Sequence, residues 1–372
     1  MLFKTRLLSL YYNDYYLPLG THPTKRPSVR AVFVACVLVA SLVVNLVVLI
    51  KHYNRFISPL DMYQELKDYP LVDADAAHSM ALPEAHGENA IVTTLYSDAY
   101  APAVAALGHS IRRTNTTVTR LIVLYLPSQV SPRALCVASS SGFVPHAVER
   151  IAPPHNGSGI TPRFGDQYTK LALWSLDTLA PPVRALVYID ADCLALRPFD
   201  ELFALPYALA AVPDVYGDAR GFTTSVNAGV LVVRPDSRLF AAMLRALPAA
   251  RFPPAMAEQA FLNQFFATDV LRLPYAYNGN LALKARSPRV WDGIRGEMRV
   301  MHYTLVKPFV SRTWGAVPLE RLPERVAEAA EEKKGLFREE MTLWGRTWEE
   351  TSVVYARSID QCRSLRDSAE SR

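Results

Sequence analysis

The sequence predicts an α/β protein built on a doubly wound, mostly parallel sheet and preceded by one transmembrane helix. Three observations carry this prediction. From residue 90 onward, short β-prone apolar runs alternate with helical patterns, as in sheets with helices on both faces. One of these runs, Ala185 to Ile189, is apolar on both sides, as expected of a central parallel strand covered by helices. Ahead of them, Ala31 to Ile50 is apolar except for Ser41 and Asn45.

The elements follow in order. Residues 1–30 hold Lys4, Arg6, Lys25, Arg26 and Arg30 with Asp14 as the only acid, so they read as a basic cytosolic tail. At about 1.5 Å per residue, residues 31–50 cover a bilayer's hydrocarbon core of ~30 Å. A cleaved signal peptide starts nearer the first methionine, and a buried core helix shows a polar face, so this run reads as a signal anchor. Residues 51–88 are polar without periodicity, a stem. A strand is expected at Ala90 to Leu95, a helix at Ala99 to Arg113 and a strand at Leu121 to Leu126. Ser131-Pro132 supplies an N-cap and first-turn proline for the next helix. Then come a weaker strand near Val148, a helix over Tyr168 to Leu179, and the Ala185 strand. Ala208 to Val212 and Ala228 to Val233 read as strands, and Asp236 to Ala246 and Glu258 to Phe266 as helices. The main domain is placed at residues 89–318. A helical extension at 319–372 carries two charged amphipathic helices, Glu320 to Gly335 and Leu336 to Glu350.

Composition narrows the function. With 372 residues, 50% hydrophobic and 20% charged, the chain buries one large domain or at most two. A net charge of +5 without interleaved basic and aromatic residues excludes a nucleic-acid binder. Of the four cysteines, Cys36 lies in the apolar run, so Cys136, Cys193 and Cys362 allow at most one disulfide and show no zinc-site spacing. Asn115-Thr-Thr and Asn156-Gly-Ser are glycosylation sequons in polar surroundings.

The Ala185 strand ends abruptly in Asp190-Ala-Asp192. In open α/β sheets ligands collect beyond the carboxyl ends of such strands, and paired carboxylates there suit Mg²⁺ or Mn²⁺, which in turn hold phosphate oxygens.

An ordered series of blocks surrounds this pair: Val92-Thr-Thr-Leu-Tyr-Ser-Asp-Ala-Tyr100, Thr169-Lys-Leu-Ala-Leu-Trp174, Val226-Asn-Ala-Gly-Val-Leu-Val232, Glu258-Gln-Ala-Phe-Leu-Asn263, Leu273-Pro-Tyr-Ala-Tyr-Asn278 and His302-Tyr-Thr-Leu-Val-Lys-Pro-Phe309. Over Ala90 to Phe309 the chain resembles glycosyltransferase family 8, the glycogenin-like group, in a membrane-anchored branch. The resemblance implies a nucleotide-sugar-binding domain of the GT-A type, a UDP-sugar donor, Mn²⁺ or another divalent cation, and retention of anomeric configuration. Asp190, Asp192 and His302 resemble the metal ligands. Imidazole with carboxylates suits Mn²⁺ better than Ca²⁺. Lys307 resembles the cation that meets the donor phosphates as the sugar departs. Lys170, four residues before Trp174, resembles a donor contact, and Arg163 is a candidate for the same positive cluster. Leu95, Tyr96, Ser97 and Tyr100 resemble the uracil and ribose segment, with Ala191 between the acids. Asn227, Ala228 and Gly229 resemble the donor-sugar wall. Glu258 and Gln259 resemble the acidic-Gln pair beside the anomeric carbon.

Glycogenin itself carries an aspartate where this chain has Ala255, a tyrosine acceptor where Gly279 to Trp291 has none, and a His-to-Lys spacing one residue longer. The expectation is therefore a single-pass type II membrane glycosyltransferase, Golgi-located, moving sugar from UDP to a luminal glycan, glycoprotein or small-molecule acceptor. The alternatives are a self-glucosylating primer, a non-catalytic nucleotide-sugar or glycan-binding module, and a metal-dependent phosphohydrolase. The last usually requires more ligands for a second metal.

Overall fold

The structure is a computed structural model that describes residues 28–56, 86–215 and 223–365. The expected tail at 1–30 and stem at 51–88 fall mostly outside the described residues. The chain divides into two compact units, Met1–Ile57 and Ser58–Arg372.

The first unit contains helix α1 (Val29–Phe56). Its portion Val29–Lys51 has a mean hydropathy of 3.0, long and apolar enough to cross a membrane. The two polar residues within it satisfy each other. Asn45 Nδ2 donates to the Ser41 carbonyl at 2.7 Å and to Ser41 Oγ at 3.3 Å, which lowers the cost of placing them in hydrocarbon.

In the second unit the main sheet contains β1 (Glu88–Leu95), β2 (Leu121–Tyr125), β3 (Val144–Ala147), β4 (Val183–Ile189), β6 (Leu209–Pro213), β7 (Val226–Val233) and β8 (Leu271–Arg272), in the order β3-β2-β1-β4-β7-β6-β8. The β1–β2, β2–β3, β1–β4 and β6–β8 pairs are parallel; β7 runs antiparallel to β4 and β6. This is the mostly parallel doubly wound sheet expected. Connections depart to opposite sides of β1, so the switch point, where such sheets bind ligands, lies beyond the carboxyl ends of β1 and β4.

Alternating side chains of the central strands feed two cores. Ile91, Val123 and Val187 face one together with helices α2 (Ala101–Arg113) and α3 (Pro132–Ser139). Val92, Leu124, Leu186 and Tyr188 face the other, closed by the 3₁₀ segment Gln167–Thr178 and helices α4 (Ser237–Ala246) and α5 (Ala257–Phe266). The cap read from sequence forms, Ser131 Oγ accepting from Ala134 N at 3.1 Å; Asp236, expected as the first residue of its helix, caps it instead, Oδ1 accepting from Arg238 N at 2.9 Å. Residues 167–178 are 3₁₀ rather than α-helical. The Ser175 and Thr178 hydroxyls bond the carbonyls three residues back, consistent with the tighter winding.

A second sheet, in the order β5-β10-β9, joins β5 (Cys193–Ala195), β9 (Gly279–Asn280) and β10 (Val300–His302). Between β9 and β10 lie helices α6 (Leu281–Arg286) and α7 (Pro288–Ile294).

The C-terminal helices are α8 (Leu322–Glu331), α9 (Arg338–Val354) and α10 (Ala356–Arg363), shifted from the two expected. The break after α8 falls at Lys333, Lys334 and Gly335, all at positive φ. These helices are continuous with the β1-side core through Leu322, Ala329, Met341, Trp344 and Ile359. Burying side chains the size of Leu322, Met341 and Ile359 contributes roughly 1.5–3 kcal/mol each. A disulfide between Cys136 of α3 and Cys362 of α10, 226 residues apart, ties them down and leaves Cys193 as a buried free thiol.

Candidate active site

The C-terminal ends of β1 and β4 open into a cleft of about 470 Å³. Tyr96, Ser97, Tyr100, Lys170, Asp190, Ala191, Asp192, Asn227, Ala228, Gly229, Glu258, Gln259, His302 and Lys307 line it together, with Arg163 and Ala255. Of the residues singled out from sequence, Leu95 differs: its side chain is fully buried in the β1-side core. Ser97 spends its hydroxyl accepting from Ala99 N at 3.3 Å, at the start of the helical run 98–113.

β4 delivers the acids. After Ile189 the chain turns, with Asp190 N donating to the Gly229 carbonyl at 2.8 Å and Cys193 N to the Asp190 carbonyl at 3.1 Å. The returning β5 pairs antiparallel with β10, placing Cys193 opposite His302, and Tyr303 N donates to the Asp192 carbonyl at 2.9 Å. Residues more than a hundred positions apart are thereby joined.

His302 Nε2 lies 3.4 Å from Asp192 Oδ1 and 3.8 Å from Asp190 Oδ2. Its Nδ1 is 3.0 Å from Asn278 Oδ1. Asn278 donates from Nδ2 to Asn227 Oδ1 at 2.9 Å, so its oxygen is turned toward the imidazole and Nδ1 is the protonated nitrogen. This directs the Nε2 lone pair at the two carboxylates, as metal-binding histidines require. Gly229 completes the arrangement, because a Cβ there would lie 2.2 Å from His302 Cε1. Asp192, Cys193 and His302 lie close enough together to hold a metal ion. Cys193 was not anticipated as part of that group. Burial, with the Asp192 and Asp190 charges, pushes its thiol well above the ordinary range, so it stays protonated and is the weakest donor of the three.

Asp192 is also paired with Lys307, which donates to the Tyr303 carbonyl at 3.0 Å. Burial alone would raise the Asp192 carboxyl; the Lys307 ammonium beside it outweighs this and holds the group well below the usual carboxylate range. Burial likewise opposes the charge on Lys307, but Asp192 and Tyr100 raise it, so both remain ionised at neutral pH.

Lys170 is buried and its three ammonium donors are all occupied: by Glu258 Oε1 at 2.8 Å, Asp190 Oδ1 at 3.1 Å and the Ala228 carbonyl at 3.2 Å. Burial would lower its pKa, yet the Asp190 and Glu258 carboxylates raise it. The ammonium also lies 4.9 Å from the Tyr188 ring centroid. Lys170 thus holds Asp190 and Glu258 in place. Gln259 is similarly engaged: its Oε1 accepts from Ala228 N at 3.0 Å and Asn227 Nδ2 at 3.2 Å, and its Nε2 donates to Asp214 Oδ2 at 2.8 Å.

Besides Cys193, three contributors were missed in the sequence. Tyr188 donates to Asp190 and lies 2.9 Å from Thr94 Oγ1; its place two residues before Asp190 on a strand, hence on the same face, was the available signal. Asn278 was inside a recognised block without a role. Asp214, buried and bonded to Asn227 and Gln259, gave no local signal. Ala257 in the wall has φ +48, a strained conformation for a non-glycine residue and a kind that clusters at functional sites.

No family model matches the chain. It is 32% identical over 220 residues to glycogenin of Neurospora crassa, covering 58% of this chain and 30% of that protein. It is 27% identical over 245 residues to inositol phosphorylceramide glucuronosyltransferase 1 of Arabidopsis thaliana, covering 59% of this chain and 42% of that one. The chain therefore spans less than half the length of these two curated relatives. Among solved structures, the galactosyltransferase LgtC with donor and acceptor sugar analogs aligns with a TM-score of 0.41 and 20% identity, covering 66% of this chain and 99% of that one.

Proposed function

We propose, from the premise that this chain is a homologue of the glycogenin-like glycosyltransferases of family 8, that it transfers a sugar from a UDP-sugar donor to an acceptor hydroxyl with retention of anomeric configuration. The observation that carries the reading is the convergence of Asp190, Asp192 and the Nε2 face of His302 beside Lys307 in one cleft. The donor set of two carboxylates and an oriented imidazole fits a divalent cation, Mn²⁺ by preference. Asp190, Asp192 and His302 would hold it. When bound, such an ion supplies charge to a departing diphosphate.

The chain's own residues do the rest. Lys307 remains a cation and offers donors toward the same phosphates. Tyr96 and Tyr100 provide wall area for the base and ribose. Asn227, Ala228 and Gly229, fixed by Gln259 and Asp214, form a rigid wall against which the donor sugar is oriented. Lys170 keeps Glu258 and Asp190 at their places.

The test is turnover of a panel of UDP-sugars by the purified full chain, with Mn²⁺ and with excess chelator. Metal-dependent hydrolysis of at least one donor is expected, with the anomeric configuration of the released sugar read by NMR. Equal turnover in chelator would remove the metal, and no turnover of any donor would leave a binding module. A self-glucosylating primer is disfavoured because Gly279 to Trp291 contains no tyrosine.

A luminal catalytic unit is part of the same proposal, with α1 as a type II anchor in the Golgi. It is supported by the basic residues before the helix, by the disulfide, and by exposed Asn115 and Asn156 in sequons. In sealed vesicles the unit following α1 should resist protease until detergent is added, and glycosidase should shift its mass. Digestion without detergent would reverse the orientation.

A further inference from the structure

Trp314 stands at the lip of the cleft with 44% of its surface exposed. Its φ is +66, a region that bulky side chains enter only at a cost, and such outliers persist where the surroundings fix them. Here they do. Val310 and Ala316 form a bridge, Trp314 N donates to the Ser311 carbonyl at 2.9 Å, and Gly315 N donates to Ser311 Oγ at 2.9 Å. The Arg163 guanidinium lies 4.1 Å from the centroid of the indole and 4.6 Å from that of the Phe164 ring. Among the described residues Arg163 has no carboxylate partner. A large apolar ring is thus held rigidly in view of solvent, backed by a cation whose hydrogen-bond donors are not spent on an acid.

We propose that the exposed surface of Trp314 is the acceptor subsite, stacking a pyranose ring of a glycoside acceptor while Arg163 reaches the hydroxyls at its rim. This rests on the nucleotide-sugar transferase reading. A pyranose presents C–H groups on one face and hydroxyls around its edge, which matches an amphipathic platform of apolar ring and adjacent donors. The donor phosphates have no use for an uncharged indole when Lys307 and the acid pair lie deeper in the cleft. A ring carried on a braced backbone and backed by Arg163 also loses less freedom on binding than a loose side chain would.

The test uses the detergent-solubilised full chain, with methyl glucosides, galactosides, mannosides and xylosides of both anomers as probe acceptors. Trp314→Ala should raise KM for the best probe about tenfold, the loss of one aromatic contact, with kcat little changed. Hydrolysis of the UDP-sugar without acceptor, and its KM, should stay at wild-type values. Trp314→Phe should restore most of the acceptor affinity. An unchanged acceptor KM in Trp314→Ala overturns the proposal. So does a donor KM that rises in step, which would mark a nucleobase support, and so does a wild type that hydrolyses donor but glycosylates no probe. If the wild type hydrolyses no donor, it is the transferase reading that fails. The platform is then read by glycoside quenching of indole fluorescence, and equal quenching in wild type and Trp314→Phe overturns it.

Discussion

Asp192→Asn should abolish metal-dependent turnover while leaving a folded protein. Asparagine nearly preserves the shape, so the β5–β10 pairing and the Tyr303 N to Asp192 carbonyl bond persist. What disappears is the charge that faces His302 Nε2 at 3.4 Å and pairs with Lys307. Loss of one preorganised electrostatic group commonly costs ~10²–10³ in rate, and loss of a metal ligand can cost more. Lys307 keeps the Tyr303 carbonyl at 3.0 Å, so the melting temperature should fall by less than for a stranded buried charge. Excess Mn²⁺ should rescue His302→Ala better than Asp192→Asn, because a neutral ligand contributes less charge. Calorimetric titration of Mn²⁺ together with donor hydrolysis reads both effects, and near-normal turnover by a well-folded Asp192→Asn protein would remove these roles.

Lys170→Met should be the most damaging change to the cleft's architecture. Among the described residues it withdraws the cation that touches both Asp190 and Glu258, leaving the buried Glu258 and the partly exposed Asp190 carboxylates without a positive charge between them. Breaking a buried pair in this way costs about 3–5 kcal/mol, a fall in melting temperature on the order of 10 °C for a domain of this size. Turnover should drop roughly 10²-fold through displacement of Asp190, a loss that a shift of ~1 Å produces. Adding Glu258→Gln should recover much of the stability, since the repulsion goes, but little of the turnover. A Lys170→Met protein that melts with wild type would show that this ion pair does not organise the wall.

The parts of this arrangement legible in the sequence were those with local causes. A strand apolar on both faces announces a central position, so the carboxylates that end it could be placed at the ligand-binding edge. Ser131, followed by Pro132, declared its cap by residue type. The 3₁₀ winding of 167–178 was hidden because its apolar spacing resembles that of an α-helix. Leu95 belongs to a strand whose alternation turns its side chain into the core, while the next residue, Tyr96, reaches the cleft. The link between Asp214, Asn227, Asn278 and His302 depends on strand register and loop closure over dozens of residues, which leave no local trace. Resemblance to relatives brought His302 to attention; only the β5–β10 ladder explains how it arrives.

The absence of a side chain at Gly229 binds two distant positions into one unit of evolutionary change. With a Cβ at 229 lying 2.2 Å from the His302 ring, no route through sequence space replaces the glycine while the imidazole stays in place. Loss of the imidazole removes the nearer obstacle, but a Cβ at 229 would still lie 2.9 Å from Asn227 Oδ1, so alanine there also requires the Asn227 amide to move. A larger residue at 229 is therefore expected only where the histidine and the Asn227 amide have both given way, so these three positions change together.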